Sequence, residues 1–64
     1  MPIVQIQILQ GREQKQIQHL IMNVTDAVAK SLEVDIERVR VLVTEIPDTH
    51  WGVGGKPKNG VEEY

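Results

Sequence analysis

Pro2 is the most unusual candidate for a catalytic residue in this sequence. The chain opens MPIVQIQIL, so loss of Met1 would turn the proline nitrogen into a free secondary amine. A free α-amine has a pKa of about 7.7–8.0, and apolar surroundings disfavour its cation further. A neutral amine of this kind suits general base catalysis near neutral pH. The structural alternative is that Pro2 merely begins a strand, since proline is tolerated as the first residue of one.

Arg40 and Arg12 are the two candidate anion-binding residues. Arg40 stands between two valines in an apolar run, where a buried guanidinium is costly without an anion. The anion can be a ligand or a structural carboxylate, such as Glu13, Glu45 or one from a neighbouring subunit. On the strand alone, the structural salt bridge is the simpler interpretation. Arg12 follows Gly11 at the entrance of a predicted helix, where a solvated loop charge is the usual role.

Trp51 is the single tryptophan and lies in the turn-rich stretch HWGVGG. It can plug a core or a subunit interface, or it can form the apolar wall of a pocket, and these roles are compatible. His50 is more consistent with a turn residue than with a catalyst, and His19 falls on the solvent face of the predicted helix. The two histidines lack a metal-binding spacing and the chain has no cysteine, so we expect no metal site.

The elements that must position these residues are a strand, a helix and a second strand. Residues 2–9 alternate apolar and polar side chains, which predicts a strand. From about residue 13 to residue 32 the apolar residues follow a helical period, although no Ser, Thr, Asp or Asn stands at the start as a cap. Residues 39–46 form a second apolar run, which Pro47 ends. This order predicts an α/β (α+β) fold with one βαβ unit and a right-handed crossover between parallel strands.

Shorter segments connect and follow this unit. Residues 33–38 form a connection in which Asp35 is placed to cap a single helical turn. Residues 50–55 are rich in turn formers and predict a small hairpin. Residues 56–64 are polar and predict a flexible tail or a segment that lies on a neighbouring subunit. We expect residues 1–64 to form a single domain.

The size and patterning of the chain predict an obligate oligomer. One helix covers one face of a two-stranded sheet, yet the second strand is apolar on both faces, and parallel strands normally have both faces covered. Without cysteine or metal, a chain of 64 residues needs association or very good packing. A net charge of −2 argues against a nucleic-acid platform. No apolar run can span a bilayer and no leader is evident, so we expect a cytoplasmic protein without a membrane partner.

The combination of these features resembles the 4-oxalocrotonate tautomerase family. The resemblance runs without gaps from Met1 to about Gly55 and is carried by MPIVQIQIL, QGR, VRV and HWGVGG. It implies a tautomerase-type β-α-β fold whose dimers form a four-stranded sheet and assemble as a homohexamer, a trimer of dimers. It also implies ketonisation of a dienol such as 2-hydroxymuconate to the conjugated 2-oxo acid, without metal or organic cofactor.

The resemblance implies a role for each candidate residue. Pro2 would be the base that takes the hydroxyl proton and returns it to carbon. Arg12 would hold the distal carboxylate of the substrate. Arg40, from a neighbouring subunit, would bind the 2-oxo group and the adjacent carboxylate and draw electron density toward them. Trp51 would form the apolar wall, where the best-known members have phenylalanine.

Two other functions remain open from the sequence. Related dehalogenases and hydratases of unsaturated acids need an extra arginine and a carboxylate that activates water, and the corresponding positions here hold Leu9 and Val53. A non-catalytic oligomeric protein would keep Pro2 only as the start of a strand. A further departure from the family is that Glu13 and Gln14 replace its helix-capping residues, which bears on stability more than on chemistry.

Overall fold

A helix joins two parallel strands in the body of the protein, whose computed structural model describes residues 1–59. Strand β1 spans Ile3–Leu9, helix α1 spans Gln14–Leu32 and strand β2 spans Arg40–Ile46. The two strands pair in parallel, which confirms the predicted βαβ unit. The two strands and the helix each begin one residue later than predicted, which is within the usual uncertainty of element ends. Within the described residues, no helix is both long and apolar enough to cross a membrane.

The register of the sheet decides which side chains share a face. β1 pairs with β2 from Ile3 opposite Arg40 to Leu9 opposite Ile46. Since side chains alternate along a strand, the even-numbered residues of β1 and the odd-numbered residues of β2 share the face that α1 covers. The other face is open, and on it Ile3 is 61% and Leu42 51% exposed. The predicted uncovered apolar face is therefore present in the single chain.

Helix α1 begins without one of the usual capping residues, as the sequence predicts. Its start is satisfied in another way, because the backbone N–H of Glu13 donates to Oε1 of Gln16 at 3.2 Å. This contact is one half of a capping box, with glutamine at the third helical position. The helix ends at Glu33, whose φ of 56° is left-handed and stops helical pairing.

A single 3₁₀ turn, Ile36–Arg38, connects the helix to β2. Backbone hydrogen bonds close the turn, from Arg38 N–H to the Asp35 carbonyl at 3.0 Å and from Val39 N–H to the Ile36 carbonyl at 3.2 Å. The predicted turn is confirmed. The predicted side-chain cap is wrong, since the Asp35 carboxylate makes no capping hydrogen bond and the turn is closed by its backbone alone.

The hairpin after β2 is longer than predicted. A second 3₁₀ turn, Asp48–His50, leads into strand β3, Gly52–Val53, which pairs antiparallel with strand β4, Lys56–Pro57. The two glycines between them have φ of 62° and 88°, the left-handed pair that a type I′ turn needs. Residues 56–58 are therefore not part of a tail, because a two-residue turn returns the chain directly along β3. Residues 60–64 of the predicted tail lie outside the described residues.

The core of the single chain is small. Ile17, Ala29 and Val39 are its only buried apolar residues among those described, and each is 7% exposed. The radius of gyration of the Cα atoms is 15.4 Å, whereas a compact domain of this length has roughly 11 Å. Both observations support the prediction that further chains cover the sheet. The large apolar side chains left exposed are Met1, Ile3, Met22, Leu32, Ile36, Leu42 and Val53.

Candidate active site

Pro2 and Arg40 are neighbours at the amino ends of the two strands. The backbone N–H of Arg40 donates to the Pro2 carbonyl at 3.0 Å. Their side chains nevertheless diverge, because Arg40 pairs with Ile3 and Pro2 falls on the alternate face of the sheet. Pro2 is half-buried, and Met1 precedes it, so its nitrogen is an amide in this structure. A chain's own Arg40 therefore does not face its own Pro2.

The guanidinium of Arg40 is anchored along one side only. Its Nη1 donates to the Glu37 carbonyl at 2.7 Å and, more weakly, to the Val39 carbonyl at 3.4 Å. Among residues 1–59 its partners are these carbonyl oxygens, and no ion pair with Glu13 or Glu45 forms. The N–H groups of Nε and Nη2, on the other edge of the guanidinium, have no acceptor among residues 1–59 and can donate to another group. That edge has the fork geometry that matches a carboxylate.

Arg12 lies at the other end of the sheet. It follows Gly11, whose φ of 125° turns the chain out of β1, and it directly precedes the helix cap. β1 has seven residues. At roughly 3.3 Å per residue, this strand holds Pro2 and Arg12 more than about 20 Å apart. One small acid cannot bridge the two residues within a single chain.

Trp51 also lies beyond the carboxyl ends of the strands. Leu9 pairs with Ile46, and the chain then passes through the second 3₁₀ turn to Trp51. Trp51 is half-buried, and its carbonyl accepts a hydrogen bond from Lys58 N–H at 2.8 Å, which ties it to the hairpin. The structure thus divides the four predicted site residues into two pairs at opposite ends of the sheet.

An apolar pocket lies beside Arg12, at the junction of β1 and α1. This Arg12 pocket has a volume of about 310 Å³ and is lined by Ile8, Arg12, Gln16, Ile17 and Leu20. A second pocket of about 260 Å³ lies on the strand-end side and is lined by Leu9, Gln10, Gly11, Arg12 and Gln16. An apolar cavity with a few polar groups at its edge is typical of a small-molecule site.

A wider pocket lies at the N-terminal end of the sheet. It has a volume of about 650 Å³ and is lined by Met1, Asp35, Ile36, Glu37 and Arg38. Loss of Met1 would enlarge this space beside the Pro2 nitrogen. Sequence reasoning singled out neither Arg38 nor Gln16, because neither belongs to a recognisable motif. The sequence signal that could have identified Gln16 is its position four residues after Arg12, across the start of the helix.

No group of three or more His, Cys, Asp or Glu side chains within residues 1–59 is placed to hold a metal ion. His19 and His50 are both exposed, in agreement with their predicted solvent-face and turn positions.

Comparisons with known proteins address the whole chain. The family model described as "Tautomerase enzyme" matches residues 2–59. The chain is 49% identical over 61 residues to a 2-hydroxymuconate tautomerase of Pseudomonas sp. (strain CF600), covering 95% of this chain and 97% of that protein. It is 51% identical over 57 residues to a 2-hydroxymuconate tautomerase of Pseudomonas putida, covering 89% and 90%. A heterohexamer 4-oxalocrotonate tautomerase from Chloroflexus aurantiacus J-10-fl superposes with a TM-score of 0.88 at 32% identity, covering 97% of this chain and 100% of that one.

Proposed function

This chain belongs to the tautomerase family, and from that premise we propose that it ketonises a dienol diacid, 2-hydroxymuconate or a close analogue, to the conjugated 2-oxo acid, 2-oxo-3-hexenedioate. The observation that carries the proposal is the set of a proline directly after Met1, two guanidiniums and an indole in a chain that matches 2-hydroxymuconate tautomerases over nearly its whole length. The dehalogenase or hydratase alternative is not favoured, since Leu9 and Val53 supply neither a cation nor a carboxylate.

The active site that we propose is shared between chains. Pro2 lies at the amino ends of the strands, whereas Arg12 and Trp51 follow their carboxyl ends. A substrate of six carbons can contact all of these residues only if different copies contribute them. The open sheet face and the extended shape of the chain support association of copies, and a homohexamer built as a trimer of dimers is the assembly we propose.

Pro2 is the general base in this mechanism. With Met1 removed, its neutral nitrogen takes the proton of the 2-hydroxyl group of the dienol. The electrons of the O–H bond form the C2=O double bond, the C2=C3 pair becomes C3=C4, and the C4=C5 pair takes a proton at C5. The same proline cation returns that proton, so one O–H bond is exchanged for one C–H bond and nothing is oxidised or consumed.

The two arginines divide the anionic groups of the substrate. The free Nε–Nη2 edge of Arg40 binds the 2-oxygen and the adjacent carboxylate, where it stabilises the charge that develops on the oxygen. Arg12 holds the distal carboxylate at the edge of its apolar pocket. Trp51 supplies an apolar wall that excludes water and keeps the Pro2 amine neutral.

The state of the N-terminus tests the proposal most directly. We expect protein whose mass shows loss of Met1 to ketonise 2-hydroxymuconate. The reaction is measured as the decay of the dienol absorbance. A variant with an uncleaved residue ahead of Pro2 should be slower by at least about 100-fold, because an amide nitrogen cannot act as the base. Sedimentation of both proteins shows whether the extension disturbs assembly. Equal rates for the two proteins at equal assembly would overturn the role of Pro2.

A further inference from the structure

Gln16 borders both of the pockets that flank Arg12. One pocket lies against the apolar face between β1 and α1, and the other lies at the end of β1. Arg12 and Gln16 are the only two residues common to their linings. Both residues therefore lie at the boundary between the two pockets.

The amide of Gln16 is held in one orientation. Its Oε1 accepts the backbone N–H of Glu13 at 3.2 Å, and only the oxygen of an amide can accept this bond. The amide nitrogen is thereby fixed on the other side of the group. Among residues 1–59, the two N–H donors of this nitrogen meet no acceptor. Gln16 thus offers oriented donors next to a cation, at the edge of an apolar pocket.

We propose that Gln16 is a substrate-binding residue that, together with Arg12, selects substrates with a distal carboxylate. This inference rests on the proposed function and refines it. A carboxylate accepts up to about four hydrogen bonds, and the fork of Arg12 satisfies only part of them. The amide of Gln16 supplies a further donor that needs no reorganisation, because the helix cap already holds it. Preference for a diacid over a monoacid dienol is then set by both residues.

The variant Gln16→Glu separates this role from helix capping. Glutamate keeps an oxygen for the Glu13 N–H, so the cap remains, but it removes the donors and places a negative charge against the distal carboxylate. We expect the ratio of kcat/KM for a diacid dienol to that for a monoacid dienol to fall at least about tenfold, mainly through KM. Gln18→Glu is the matched control, since it adds the same charge at another exposed position of the same helix, away from both pockets.

A binding measurement keeps the test independent of catalysis. Titration with adipate and with hexanoate gives the same diacid-to-monoacid comparison without turnover, and Gln16→Glu should lose adipate affinity selectively. The inference is wrong if Gln16→Glu and Gln18→Glu show the same diacid-to-monoacid preference in kcat/KM and in binding, while Arg12→Ala loses this preference. Gln16 would then serve only to cap the helix. If Gln16→Glu does not assemble, Gln16→Met removes the donors at similar length and must show the same selective loss. The parent protein could bind adipate selectively and still fail to ketonise the dienol. That result would refute the proposed function and not this inference.

Discussion

The guanidinium of Arg40 is oriented before any substrate arrives. Its Nη1 is tied to the carbonyl of Glu37 at 2.7 Å, in the turn that leads into β2. A free arginine side chain loses up to about 2 kcal/mol of rotamer entropy when it is fixed, so a tether of this kind reduces the cost of binding. Arg12 has no comparable hydrogen bond in the described part of the chain, so its side chain must lose rotamer freedom when it binds an anion.

This difference predicts distinct kinetic effects for the two arginines. Arg40→Ala should lower kcat on a diacid dienol about 100-fold or more, because in the proposed mechanism the lost donors face the oxygen on which charge develops. Arg12→Ala should mainly raise KM for the diacid, by about tenfold, with a much smaller effect on a monoacid dienol. Steady-state kinetics on both substrates separates the two outcomes. If both variants treat both substrates like the parent, the carboxylate assignments are wrong.

The sequence identifies residues of the candidate site by their chemical type and not by their arrangement. Pro2, Arg12, Arg40 and Trp51 stand out because their side chains carry charge, basicity or aromatic area in otherwise ordinary stretches. Gln16 does not stand out, since its donors become available only through a hydrogen bond with a backbone group three residues earlier. A contact of that kind depends on where the helix begins, which sequence patterns locate to within only a few residues.

At the scale of elements, the βαβ unit was predictable because two hydrophobic periods mark it clearly. For the hairpin, the sequence predicted the turn but not the second strand. Lys56 and Pro57 are poor strand residues, so composition assigns them to a tail. They pair with β3 because the preceding Gly54 and Gly55 form a tight turn that returns the chain along it.

The same turn predicts the effect of a glycine substitution. Gly55→Val places a β-branched residue at a φ of 88°, which costs on the order of 1–3 kcal/mol and should loosen the hairpin. Trp51 is bonded to that hairpin through Lys58, so its environment should become more polar and KM should rise. Fluorescence of the single tryptophan reports the change, and circular dichroism should show the βαβ unit intact.

Gly52→Ala is the control for this substitution. Gly52 has an ordinary φ, and an added Cβ would lie 4.0 Å from the Lys56 carbonyl oxygen, a normal contact distance. It should leave tryptophan emission and KM near the parent values. If Gly55→Val also leaves them unchanged, the hairpin does not position Trp51 and the indole is placed by other contacts.

At the scale of the whole molecule, the sequence predicted a sheet with one uncovered face, and the structure shows Leu42 and Ile3 exposed on it. The separation of Pro2 from Arg12 follows from the length of β1 alone. The pairing that sets Ile3 opposite Arg40 and Leu9 opposite Ile46 is a long-range contact between the strands, and the structure was needed to define it. In the proposed mechanism this separation makes assembly a requirement for catalysis, because a chain would contribute its Pro2 and its Arg12 to different sites.

Mixed assemblies test this shared site. Pro2→Ala chains retain Arg12, and Arg12→Ala chains retain Pro2. On a diacid dienol at low concentration, the Pro2→Ala homo-oligomer should be nearly inactive and the Arg12→Ala homo-oligomer should keep about a tenth of the parent rate. If Pro2 and Arg12 of one site come from different chains, a random one-to-one mixture should contain both intact residues in about a quarter of its sites, because each residue is intact in half of the chains. The mixture is made by unfolding and refolding the variants together, and sedimentation verifies that the particle exceeds the 7.2 kDa of one chain.

The control is the same two preparations refolded separately and then combined without exchange, which should show only about a twentieth of the parent rate, the mean of the two homo-oligomers. Recovery only after co-refolding requires that Pro2 of one chain act beside Arg12 of another. No recovery in co-refolded particles that contain both variants would mean that one chain supplies both residues. Because β1 separates them by more than about 20 Å within a chain, that result would also require the sheet to rearrange on assembly.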